Sequence, residues 1–140
     1  MNITARVFAL VYPTEIEEKV RIAITNIFPI ELALRNFGIP QLYGEDGLES
    51  LRKLHMLFRE FRILDTSRRI FMNGMEGNTL QFRLNKQVAF VGKVNFPVVE
   101  ESLGSIHVDI SLDNEEDLIK IIDWLAPDTV EGVPVMEIEL

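Results

Sequence analysis

Apolar and polar residues begin in strand rhythm. In ITARVFALVY, residues 3–12, β-branched and aromatic side chains favour an extended chain, and Pro13 ends it by denying the ladder an amide donor. The period then lengthens. Ile16, Val20, Ala23, Ile24 and Ile27 recur at helical spacing and make one apolar stripe, which closes at Pro29. Thr14 and Glu17 precede it at the spacing of a reciprocal capping box. IELALRNFG, 30–38, returns to strand character, and a helix between two strands predicts a βαβ unit with a parallel or near-neighbour pair.

YGEDG, 43–47, reads as a loop. From Leu48 to Arg62 the helical period resumes, with Leu48, Leu51, Leu54, His55, Phe58 and Phe61 on one broad face. Asp65 is placed to cap a further helix that ends at Gly74. In NTLQFRLNKQ, 78–87, Leu80, Phe82 and Leu84 point one way and Gln81, Arg83 and Asn85 the other, as a strand requires. VAFVGKVNF, 88–96, fits a short helix or a returning strand. SIHVDISL alternates again, with Ile106, Val108, Ile110 and Leu112 inward. Asp113 then caps NEEDLIKIIDWL, whose acids crowd the first turn where the helix dipole favours them. The tail VMEIEL sets Met136, Ile138 and Leu140 against Glu137 and Glu139, the pattern of one more strand. These elements predict an α+β fold: a single domain, 1–140, with a mixed sheet packed on helices.

Composition narrows the chemistry. With no cysteine among 140 residues, disulfides, thiol catalysis and cysteine-ligated metals are excluded. No basic leader and no apolar run of membrane-spanning length stands near the start, so a cytoplasmic protein without a membrane partner is expected. The formal net charge is −8, unevenly spread: −3 over residues 1–50, +6 over 51–93 and −11 over 94–140. Such asymmetry marks either an internally balanced pair of surfaces or a binding face.

No catalytic constellation emerges. His107, Asp109 and Ser111 share a strand face, but neighbours two apart stand roughly 6.5 to 7 Å from one another, too far for a hydrogen-bonded triad. His55 lies on the apolar face of its helix, as a core histidine does. Glu17 with Glu18, and Glu100 with Glu101, are adjacent rather than facing, which does not suit paired-carboxylate catalysis. Neither glycine-rich nucleotide fingerprint is present, and the glycines of YGEDG are accompanied by Glu45 and Asp46, which repel phosphate. KQVAFVGK, 86–93, overlaps an RNA-recognition signature at Lys86, Ala89, Phe90 and Val91, yet has Gln87, Val88 and Lys93 where glycine and two stacking aromatics belong. No enzyme activity, cofactor, metal or small-molecule substrate is therefore expected.

Binding is what remains. Arg52, Arg59, Arg62, Arg68, Arg69, Arg83, Lys86 and Lys93 are the candidate contacts for RNA or a protein partner. Met136, Ile138 and Leu140 on an edge strand are candidate contacts for a homodimer. RILDTSRRIFMNGMEGNTLQFRLNKQVAFVGKVNF, with LGSIHVDIS and IDWLAPDTVEGVPV, resembles an uncharacterised archaeal family described as RNA-binding or exosome-associated, and the resemblance spans nearly the whole chain. It implies an α+β domain similar in fold to the ribosomal protein that carries 5S ribosomal RNA, and it brings no catalytic residues. The expected function is thus a self-associating, non-catalytic interaction module; the alternative is an RNA or ribonucleoprotein-associated protein using segment 52–93.

Overall fold

The computed structural model describes residues 1–97 and 104–140, so Glu100 and Glu101 lie outside the described residues. Its centre is a six-stranded sheet built from β1 (Thr4–Leu10), β2 (Ala33–Phe37), β3 (Ile39–Asp46), β4 (Met75–Glu76), β5 (Thr79–Asn85) and β6 (Ser105–Ser111). The order is β2-β3-β1-β6-β5-β4, and every neighbouring pair is antiparallel. A separate small ribbon pairs β7 (Thr129–Val130) with β8 (Val133–Pro134). The helices are α1 (Glu17–Ile27), α2 (Arg52–Glu60) behind a 3-10 turn over Leu48–Leu51, α3 (Leu64–Gly74), α4 (Lys86–Phe90) and α5 (Glu115–Leu125). The class is α+β, an antiparallel sheet packed against helices.

Alternation decides which side of the sheet the helices take. Ala5, Val7 and Ala9 of β1, Leu42 of β3, Leu80, Phe82 and Leu84 of β5, and Ile106, Val108 and Ile110 of β6 are buried in one apolar cluster. Val20, Ala23, Ile24 and Ile27 of α1, Leu54 and Phe58 of α2, Phe71 of α3 and Ile121, Ile122 and Leu125 of α5 complete it. Apart from the buried Ser105, the opposite side chains of the same strands stay partly or fully exposed. Among the described residues that second face carries no helix.

The expected βαβ unit is not formed. β2 lies at the sheet edge, bonded to β3, and it is β3 that runs beside β1. Gly38 turns the chain at φ +96°, a conformation open to glycine, and joins β2 to β3 as a hairpin. YGEDG is accordingly mostly strand. Gly44 holds a mid-strand position where a Cβ would stand 2.6 Å from the Glu31 carbonyl oxygen and 2.6 Å from Ile30 Cγ1, so the strand passes there only without a side chain.

Three caps differ from expectation. α1 begins at Glu17 with Ile16 as its cap, whose apolar side chain makes no cap bond, so the Thr14–Glu17 box is not formed; Glu15 accepts from the Tyr12 amide at 3.1 Å and from Lys86. α3 begins at Leu64, and Asp65 instead accepts from the Thr129 hydroxyl. α5 is capped by Asn114, one residue after Asp113, through a bond from the Asp117 amide at 2.8 Å. The ambiguous stretch after β5 opens as the short α4, whose cap Asn85 accepts from the Val88 amide at 2.9 Å. The tail 135–140 forms no strand.

Candidate nucleic-acid interface

The basic middle of the chain does not assemble into one open patch. Arg59, on α2, donates to both carboxylate oxygens of Glu137 at 2.8 and 2.6 Å, and to the carbonyls of His55, Trp124 and Leu125. Arg68, on α3, pairs with Asp123 at 2.8 Å and Asp128 at 3.1 Å, and donates to the Ala126 carbonyl. Arg52 binds Glu49 at 2.7 Å and the Leu140 carbonyl at 2.9 Å. Lys86 is buried, donating to Glu15 and to the Leu10 carbonyl at 2.9 Å. The acidic last third thus neutralises much of the basic middle within the chain. Arg62, Arg69, Arg83 and Lys93 are exposed and have no side-chain hydrogen bond or ion pair among the described residues. They stand on four different segments: the α2–α3 link, α3, β5 and the turn after α4.

The tail residues have a different setting from the edge strand expected of them. Leu140 packs against the apolar cluster, while Met136 is exposed. Glu137, held by Arg59, titrates below the usual carboxylate range. Beneath the tail, His55 stacks on Trp124 at 4.5 Å, and burial pushes its pKa down. Among the described residues no group of three or more His, Asp or Glu side chains is placed to hold a metal, and no helix is long and apolar enough to cross a membrane.

A more coherent surface lies on the uncovered face of the sheet. The register sets Tyr43 of β3 opposite Phe8 of β1, Phe8 opposite His107 of β6, and His107 opposite Arg83 of β5. Phe8 and His107 stack at 4.6 Å with planes 2° apart. The Arg35 guanidinium, reaching from β2, lies 3.7 Å from the centre of the Tyr43 ring and donates to Gln41 at 2.7 Å. Three rings therefore cross the middle of the sheet with a guanidinium group at each end. Burial, helped by Arg83 and Lys86, lowers the His107 pKa, so its ring is neutral near pH 7 and stacks as an aromatic.

Beside this row runs a polar one. Glu45 accepts from the Tyr43 hydroxyl at 2.7 Å, a bond that raises the Tyr43 pKa, and from Arg6 at 3.2 Å. Arg6 stands opposite Asp109, and Asp109 opposite Gln81, whose amide donates to Asp109 Oδ2 at 3.3 Å. Asp109 Oδ1 and Arg35 Nε are shielded from water and have no hydrogen-bond partner among the described residues. A hollow of about 520 Å³ opens where this face meets the β5 edge and the end of α3. Among these residues sequence reading offered Arg83 as a binding contact, and weighed His107 and Asp109 only as members of a catalytic triad. The available signal was an aromatic, Phe8, at an outward position of an otherwise amphipathic strand.

Comparison with known proteins sets this face in a family. A family model described as RNA binding matches residues 2–112, which contain all six strands of the large sheet. A UPF0201 protein of Methanosarcina acetivorans is 43% identical, the match covering 99% of this chain and 93% of its own. One from Sulfolobus acidocaldarius is 40% identical over 92% of this chain and 90% of its own. The crystal structure of a UPF0201 protein from Methanococcus jannaschii superposes with a TM-score of 0.85 at 39% identity, covering 95% of this chain and 99% of that one. By sequence along nearly its whole length and by fold, the chain belongs to the archaeal UPF0201 family.

Proposed function

We propose that this chain is a non-catalytic RNA-binding module whose contact surface is the uncovered sheet face. The observation that carries the reading is the row Tyr43, Phe8, His107 with Arg35 and Arg83 at its ends. Every base has a π face, so the ring surfaces that the Phe8–His107 stack and Tyr43 leave open can take unpaired bases without needing a particular sequence, and guanidinium groups at the margins meet the phosphates. The description of the matching family model agrees with this, and that model's span contains the whole sheet. The net charge of −8 does not oppose it, because at physiological salt fields from distant acids fade within about 8 Å.

The test is fluorescence anisotropy with a labelled single-stranded RNA. Phe8→Ala and Tyr43→Ala are each expected to weaken binding by about tenfold, the usual cost of one lost stacking platform. Arg83→Glu weakens it too, through the phosphates. Binding that survives all three substitutions removes the reading. Among the eight basic candidates Arg83 keeps a direct role; Arg62, Arg69 and Lys93 stand on segments outside the sheet, and Arg52, Arg59, Arg68 and Lys86 serve the fold.

Self-association is a second reading, favoured by the outer edge of β2. That strand exposes Leu34, and the hairpin beyond it exposes Phe37 at 79% and Ile39. Sedimentation of the chain and of Phe37→Asp decides it: a wild-type mass of one chain at micromolar concentration rules it out.

A further inference from the structure

We infer that the hollow at the β5 end of the open face takes one unpaired guanine base of an RNA strand; the inference rests on the RNA reading above and names its substrate. At about 520 Å³ the hollow is of ligand-pocket size, ample for a purine and its ribose. Its lining brings together Phe8, His107, Gln81, Arg83 and Asp109 from the sheet, and Asn73 from α3. Phe8 and His107 stack on each other, and the outer ring surface of that stack is a place against which a base can lie.

The selectivity comes from Asp109. Its carboxylate only accepts hydrogen bonds; one oxygen is held by Gln81 at a long 3.3 Å, and the other has no partner among the described residues. An unsatisfied, water-shielded carboxylate oxygen beside a base-sized hollow favours a ligand that brings donors. Guanine alone among the four bases sets two donors side by side on its Watson–Crick edge, N1–H and the N2 amino group. Adenine and cytosine place a ring acceptor next to their single amino donor, and uracil flanks its N3–H with two carbonyls, so each turns lone pairs toward the carboxylate. When the Gln81 amide turns aside, breaking its long bond, and the carboxylate rotates to bring the shielded Oδ1 toward the hollow, both Asp109 oxygens can receive the guanine edge. That edge is available only on an unpaired base. Arg83, opposite His107 and without a carboxylate partner among the described residues, stands ready for the adjoining phosphate.

The experiment compares labelled uridine strands that carry one central guanosine, adenosine, cytidine or inosine, by anisotropy at one salt concentration. The guanosine strand is expected to bind about tenfold tighter than the others, the discrimination of one bidentate contact. Inosine, which lacks the N2 amino group, falls most of the way back, and this arm needs no protein variant. In Asp109→Asn, checked for folding by its urea midpoint, the ratio of guanosine to uridine affinity falls to about one. Equal binding of all strands, or a guanosine preference that survives Asp109→Asn, overturns the inference. If Tyr43→Ala then still weakens every strand alike, the RNA reading stands without it; if no strand binds, both fall together.

Discussion

Two histidines record in their titration how the fold uses them. His107 is shifted down by burial against Phe8, then by Arg83 and Lys86; His55 is shifted down by burial against Trp124, then by Arg59, with Glu137 opposing. In both, the unfolded imidazole takes up its proton near 6.5 while the folded one waits for lower pH, so within that window the unfolded state binds more protons. Stability therefore rises with pH through the window, is fully present above about 6.5, and is lost as pH falls toward the folded-state values. The urea midpoint is expected to fall between about pH 7.5 and about pH 5, and to flatten when His55→Gln and His107→Phe are combined. Staying above pH 5 keeps the measurement clear of Glu137, whose lowered pKa gives a stabilising term lost only in stronger acid. A double variant with the wild-type slope would show that other groups set it.

The last turn of α5 depends on side chains from α2 and α3. Its carbonyls at Trp124 and Leu125 accept from Arg59, and the next, Ala126, accepts from Arg68, so cations sit at the negative end of the helix dipole and satisfy orphaned acceptors. Arg59 is four-fifths buried, whereas Glu137 is half exposed. Arg59→Ala should therefore cost about 2 to 3 kcal/mol in urea unfolding, because it strands carbonyls, while Glu137→Ala should cost about 0.5 to 1. Equal costs would mean the ion pair, not the carbonyl contacts, carries the energy. None of this was legible beforehand: the pairs join residues 55 to 78 positions apart, and composition shows only that opposite charges exist. What was legible is local. The stripes of α1, α2 and α5 and the alternation of β5 and β6 announce themselves because burial is periodic. β3 did not, since Pro40 and Gly44 look like loop residues until the approach of Ile30 and Glu31 gives Gly44 its reason. The aromatic row needed register, a property of paired strands rather than of any one of them.

For the molecule as a whole, the division of its charges fixes what kind of RNA binding the proposed function predicts. A protein held to RNA by a broad basic patch loses affinity steeply as salt rises, because each neutralised phosphate releases a counterion. Here the reservoir of cations is largely spent on internal acids: Arg52, Arg59, Arg68 and Lys86 are tied down, and on the open face Arg6 is paired with Glu45. Arg83 at one margin and Arg35 over Tyr43 at the other leave about one or two phosphate contacts to the face. For a single strand that predicts a slope of log affinity against log salt of only about −0.7 to −1.4. Most of the free energy then comes from rings, which salt does not screen, so Phe8→Ala should lower affinity while leaving the slope as it was, and Arg83→Gln should flatten the slope by about 0.7. Titrations across a salt series separate the two contributions. A wild-type slope several times steeper would place the binding surface on Arg62, Arg69 and Lys93, away from the sheet, and the division of labour drawn here between rings that hold and carboxylates that fold would fail with it.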